Sequence, residues 1–204
     1  MYLSKVQLSW NQTRNPYEQH RALWQLFPNS PEAQRSFLYR IEQTVKGQGA
    51  DVLMQSLQSP VETGDVNLVA TRDFNPSLYQ GQVLRFRLRA NPVKTIKDPR
   101  KGERIKNGKT YTRTVRVPLI LEAQQQAWLE KKLKDSASLQ SLVVQQELPL
   151  NFRKKSEKCS GKIQPILFDG ILTVEDSEAL LELMKYGIGP AKSFGCGMLS
   201  LRAV

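Results

Sequence analysis

Hydrophobic and polar positions alternate from the first residues of the chain. Tyr2, Val6, Leu8 and Trp10 share one face with Ser4 between them, while Lys5 and Gln7 lie on the other. A period of two predicts a half-buried strand. Asn15 followed by Pro16 then signals a helix start, because proline at the first helical position gives up an N–H that would have no partner there. Apolar Leu23, Trp24, Leu26 and Phe27 continue that helix up to Pro28. Strand patterns follow at 36–45 and 51–57, separated by the turn-forming "KGQGA". In "VLRFRLRANP" (83–92), Leu84, Phe86, Leu88 and Ala90 point one way and Arg85, Arg87 and Arg89 the other, which predicts a strand with one basic face. The spacing predicts a helix over 121–134 and extended segments around 141–146 and 163–174. Pro165 interrupts the second of these and marks it as an edge strand. Asp176 or Ser177 caps a last helix with a stripe of Ala179, Leu180, Leu183 and Met184. Gly187 stops it, and "MLSLRAV" predicts a terminal strand.

This order predicts an α+β protein with two tandem ferredoxin-like βαββαβ units of about a hundred residues each, at the domain size usual for compact chains. The expected division is 1–92 and 93–204. The second helix of the first unit has no clear signature, since 58–79 shows little helical periodicity, and no internal repeat is visible.

Composition then narrows the function classes. With 40% hydrophobic residues in 204, the chain can build a core. No run approaches the roughly 18 apolar residues of a membrane span, and the start lacks a signal-peptide plan, so a cytoplasmic protein with no membrane partner is expected. One histidine and two cysteines in no ligand spacing predict no metal site and no cofactor. Charge is the strongest signal. The net charge is +11, with 10 basic and 7 acidic groups in residues 1–90 against 20 and 12 in 91–204. Such an excess attracts a polyanion, nucleic acid above all; the competing reading is a basic surface that serves solubility. Residues 97–116 concentrate Lys97, Arg100, Lys101, Arg104, Lys106, Lys109, Arg113 and Arg116 against only Asp98 and Glu103. That density suits a phosphate backbone, with a solvated loop as the plain alternative. A second cluster is Arg153, Lys154, Lys155 and Lys158.

Three features bear on chemistry. His20, the single imidazole, stands one helical turn after Tyr17, so the two side chains are neighbours on one helix face. They either line the apolar stripe leading to Leu23 or form a proton-transfer pair. Lys162 in "CSGKIQ" is a candidate fixed cation beside a phosphate, with Ser160 helping to position it. "GIGPAKSFGCG" places Gly187, Gly189, Gly195 and Gly197 around Lys192 just before the last strand. It matches neither common phosphate-binding glycine loop. The glycines leave open a close approach to a ligand, with Lys192 and exposed N–H groups meeting phosphates, or a tight turn into the strand.

The pattern G-h-G-x-x-K-x-x-G-h-G, where h is hydrophobic, resembles the glycine-rich motif of the RNA-binding RAMP superfamily of CRISPR-associated proteins. Within that group the chain resembles the CasE family, through "MYLSKV" (1–6), "LF-P-N" (26–29), "RLRANPVKT" (87–95), "VPLI" (117–120), "SGKIQ" (160–164) and "GIGPAKS-GCG" (187–197). Tyr17 and His20 fall at that family's active-site positions. The resemblance implies tandem RRM-like domains and a metal-independent endoribonuclease that cuts CRISPR repeat RNA (pre-crRNA) on the 3′ side of a stem-loop. It also implies that the enzyme keeps the crRNA product beside the other Cascade subunits. RNA carries its own nucleophile in the 2′-OH. Catalysis then requires in-line alignment, a proton-transfer group and positive charge around the phosphorane. The catalytic candidates are His20, Tyr17 and Lys162. Ser160, Lys158, Lys192, the eight cations of 97–116 and the four loop glycines are the RNA-binding candidates. A catalytically inert RNA-binding subunit of the same fold is the alternative, because fold does not dictate catalysis.

Overall fold

The structure, a computed structural model, describes residues 1–28, 36–154 and 159–204, with the backbone alone for Lys106, Lys109, Arg153, Lys154, Cys159 and Ser160. Asn29 of the "LF-P-N" match, Lys155 and Lys158 lie outside the described residues.

Strand β1 (Tyr2–Ser9) leads into a short helix α1 (Trp10–Thr13) and then α2 (Pro16–Trp24). The Asn15 side chain accepts a hydrogen bond from the Tyr17 amide at 3.0 Å, and Pro16 takes the first turn as expected. Strands β2 (Phe37–Val45), β3 (Gly49–Ser56) and β4 (Asn67–Asp73) complete an antiparallel sheet in the order β2-β3-β1-β4. That is the ferredoxin-like order, yet residues 57–66 between β3 and β4 form no helix. Pro60, Gly64 and few apolar residues leave that stretch no face to bury. The helix expected through Phe27 ends at Trp24. Leu26 and Phe27 follow in a tightened turn, their amides donating to the carbonyls of Leu23 and Trp24. Both side chains still reach the core, with Val6, Leu8, Leu23, Phe37, Val52 and Met54.

The second sheet takes β5 (Val83–Ala90), β10 (Ala137–Gln146), β13 (Ile166–Val174) and β14 (Leu199–Ala203) in the order β10-β13-β5-β14, again ferredoxin-like. Helices α3 (Glu122–Leu133) and α4 (Ser177–Tyr186) bury Leu129, Leu133, Leu180 and Met184 against Leu84, Phe86, Leu88 and Phe168. Strand β5, expected in the first unit, is an inner strand of the second sheet, so the sheets part between β4 and β5 rather than at 92/93. Its alternation specifies a buried face but not which sheet receives it. A second difference concerns 163–174. Pro165 falls in the gap between β12 (Cys159–Ile163) and β13, outside any strand, and so β13 can run as an inner strand rather than an edge.

Between β5 and α3 the basic segment forms an arm. Its base is β6 (Val93–Lys97) paired with β9 (Thr114–Pro118), and its outer part is β7 (Glu103–Lys106) paired with β8 (Lys109–Thr112). Asn107 and Gly108, both at positive φ (51° and 70°), turn the tip, the backbone that an Asn-Gly hairpin favours. A second ribbon pairs β11 (Leu150–Lys154) with β12.

Candidate active site and nucleic-acid interface

Helix α2 carries Tyr17 and His20 as expected, both half-buried. The imidazole lies 5.6 Å from the Phe37 ring and 6.1 Å, edge-on, from Trp24; Phe37 is itself stacked on Phe27 at 5.2 Å. This aromatic wall fixes the ring against the core. The packing reading of His20 is met, its Nε2 lying buried in the fold, and the proton-transfer reading belongs to the function proposed below.

Helix α2 packs against β11 and against a 3₁₀ turn, Lys192–Phe194, in the glycine-rich loop. The rings of Phe152 (β11) and Phe194 meet at 4.5 Å, joining ribbon and loop. On the partner strand, a Cβ at Gly161 would stand 2.3 Å from the Phe152 ring, so the glycine of "SGKIQ" makes room for that aromatic. The next residue, Lys162, is exposed and pairs with Asn151. It lines a cleft of about 420 Å³ with Arg116 of the arm and with Pro190, Ala191 and Phe194 of the loop. Ribbon, arm base and loop thus converge on this cleft, and ribbon and loop also pack against α2.

The four loop glycines all have positive φ. The room that they suggested for a ligand is filled by protein. A Cβ would meet Leu38 at Gly187, Trp128 at Gly189, Tyr39 and Arg89 at Gly195, and the Ile188 carbonyl at Gly197. The glycines serve close packing of the loop around the start of β2. Lys192 is half-buried, and its ammonium donates to the Tyr186 carbonyl, closing the C-terminal end of α4.

Two residues that the sequence reading did not select anchor this loop. Arg89 is only 7% exposed. It donates to the Phe194 carbonyl at 3.0 Å and pairs with Glu147 at 2.7 Å. Burial alone would lower its pKa, but hydrogen bonding and charge attraction from Glu147 outweigh that, and the pKa is raised. The Tyr39 hydroxyl donates to the Ser193 carbonyl at 2.9 Å. Alternation placed Arg89 on a solvated face; only the folded-over loop buries it.

Lys97, Arg100, Lys101, Arg104 and Arg113 stand exposed on the arm, away from the cleft lining except through Arg116. The side chains of Lys106, Lys109 and Ser160 lie outside the described residues. Among the described residues, no group of three or more His, Cys, Asp and Glu is placed to hold a metal ion, and no helix is long and apolar enough to cross a membrane.

Two ferredoxin-like sheets, a glycine-rich loop before the last strand and a basic arm define a CRISPR-associated protein, and the family of that description matches residues 1–203. The chain is 45% identical over 201 residues to the CRISPR system Cascade subunit CasE of Escherichia coli K12, covering 98% of each. It superposes on the crystal structure of Cas6e from that organism with a TM-score of 0.84, at 43% identity over the whole of both chains. It is also similar to the CRISPR endoribonuclease Cse3 bound to a 19-nucleotide RNA, with a TM-score of 0.77, 31% identity and coverage of 99% and 100%. The chain belongs to the CasE family.

Proposed function

We infer that this protein is the endoribonuclease that processes CRISPR repeat RNA in a type I-E system. It binds the stem-loop, cuts pre-crRNA on the 3′ side of the stem, and remains on the mature crRNA within Cascade, in the cytoplasm where the transcript is made. One observation carries this reading: α2, the helix of Tyr17 and His20, packs against both β11 and the glycine-rich loop, whose Phe194 lines the same cleft as Lys162.

The reaction is a transesterification within the RNA. The 2′-oxygen loses its proton and bonds to phosphorus, and the bond from phosphorus to the 5′-oxygen breaks. A proton reaches that oxygen, leaving a 2′,3′-cyclic phosphate and a 5′-hydroxyl. His20 moves one of these two protons. Tyr17 holds the 2′-hydroxyl or stabilises the developing charge. Lys162 offsets the negative charge of the phosphorane. The stem lies along the arm, where Lys97, Arg100, Lys101, Arg104, Lys106, Lys109, Arg113 and Arg116 meet its phosphates. Ser160, Lys158, Lys192 and the loop of Gly187, Gly189, Gly195 and Gly197 border the RNA near the cut. The deep groove of A-form RNA resists side-chain reading, so recognition rests mainly on shape.

His20→Ala tests the assignment. Binding of a labelled hairpin is retained and cleavage falls by several orders of magnitude; unchanged cleavage removes His20 from the mechanism. A 2′-deoxy nucleotide before the cut blocks cleavage but not binding. Cleavage persists in EDTA, whereas its loss there with binding intact would point to a metal.

A further inference from the structure

The basic face of β5 is not used by this reading. Arg85, Arg87 and Arg89 point away from α3 and α4, and only Arg89 is consumed by the loop. Arg87 pairs with Asp169 at 2.7 Å. Arg85 stands directly opposite Arg202 on β14, both exposed. Among the described residues, neither side chain makes a hydrogen bond or ion pair. Like charges at directly opposed strand positions repel, and a protein has no folding reason to set them there. They border a groove of about 670 Å³ that also takes in Arg40 and Arg87, with Asp169 its only lining carboxylate. Val143, Ile171 and Leu201 contribute to its lining, and among the described residues its one aromatic, Phe86, is buried at 3% exposure.

We propose that this groove is a second RNA site, in which Arg85 and Arg202 hold phosphates of the single-stranded segment that adjoins the 5′ side of the hairpin. The proposal rests on the function given above. Paired guanidiniums match phosphate oxygens better than lysines would. With Phe86 buried and offering no exposed ring for stacked bases, the site tracks the backbone and does not select sequence. An acidic protein segment would meet the same charges. The RNA flank has the advantage of being tethered to a hairpin already bound, which raises its local concentration. The 5′ flank stays joined to the retained product, so contacts with it help to hold that product.

The test uses the full chain and two hairpins carrying a 2′-deoxy nucleotide at the cut, one bare and one with a short single-stranded 5′ extension. Binding is measured by fluorescence anisotropy across a salt series, for wild type and for Arg85→Gln/Arg202→Gln. Wild type binds the extended RNA more tightly. The variant loses that increment, and its log K against log salt slope for the extended RNA falls by about 1.4, at about 0.7 per single-strand phosphate. Its affinity for the bare hairpin and its single-turnover cleavage of the all-ribose hairpin are unchanged, and a melting curve close to that of wild type shows that it folds. Equal losses on both RNAs, no loss on either, or an increment produced only by a 3′ extension would overturn the proposal. So would unchanged RNA binding with lost assembly into Cascade, which assigns the groove to a protein partner. Failure of wild type to bind the bare hairpin, or to cut its all-ribose counterpart, would refute the function itself, and that arm is read separately.

Discussion

Replacing Arg89 with methionine isolates the anchor that ties the glycine-rich loop to β5. The substitution keeps most of the side-chain length and removes its charge. Breaking one side of a buried ion pair costs about 3–5 kcal/mol. The lower end applies here, because Glu147 retains 28% side-chain exposure and finds water when left alone. The carbonyls of Phe194 and Gly195 also lose their donor, at 3.0 and 3.4 Å; the first bond is the stronger, and its loss costs on the order of 1 kcal/mol. Together this is about 4 kcal/mol. In a domain of this size each kcal/mol moves Tm by about 2–4 °C, so a fall of roughly 10 °C is expected by circular dichroism. Arg89→Met/Glu147→Met recovers part of that loss, since no charge is stranded. The turn that Arg89 holds packs against α2. Single-turnover cleavage at saturating hairpin RNA, below both melting temperatures, therefore slows by about tenfold, or ~1.4 kcal/mol of misplacement. A Tm within 2 °C of wild type, or a double variant at least as unstable as the single, would refute the reasoning.

Other expectations follow from single residues. Gly187 sits at φ 75° and ψ 162°, backbone that is nearly exclusive to glycine, with its Cβ space taken by Leu38 and the Gly197 carbonyl. Gly187→Ala therefore costs at least about 1–3 kcal/mol in urea unfolding, and a neutral result would contradict the packing role of the loop. Asn15→Ala removes the cap of α2 and about 1 kcal/mol, while Asn15→Ser restores most of it. The thiol of Cys196, held by burial up to about 12 from 9.0 and only partly opposed by Arg89, stays protonated in the fold. In a Cys159→Ser background it resists a disulfide reagent at pH 8 until the chain is denatured; immediate reaction of the folded protein would refute this. The raised pKa fixes the sign: stability from the neutral thiol is complete below pH 9 and is lost as pH rises towards 12, because the unfolded chain ionises first. Urea midpoints measured at pH 8 and pH 10 in the same background should fall accordingly.

Local physics determined much of this protein from sequence alone. The Asn15–Pro16 start of α2, the alternation of β1 and β5, the Asp176 cap of α4 and its Gly187 stop each rest on neighbouring residues, and each appears where it was read. The Tyr17–His20 pair was legible because helical periodicity fixes which side chains are neighbours. The tertiary structure alone decided what depends on distant partners. Alternation gives β5 a buried face but cannot choose between two sheets, so its move to the second unit could not be read from 83–90. Pro165 seemed to mark an edge until the register put it in the gap before β13. Residues 67–73, mostly exposed and weakly patterned, became β4 through pairing with β1. The glycine-rich loop leaves ligand approach and a tight turn equally open in sequence, and the fold makes it a tightly packed brace. The reason is the position of Leu38, Tyr39 and Trp128, which no local pattern reveals. Arg89 read as solvated and became the buried bolt of that brace, because burial belongs to whatever the fold lays over a residue and not to the residue's own alternation.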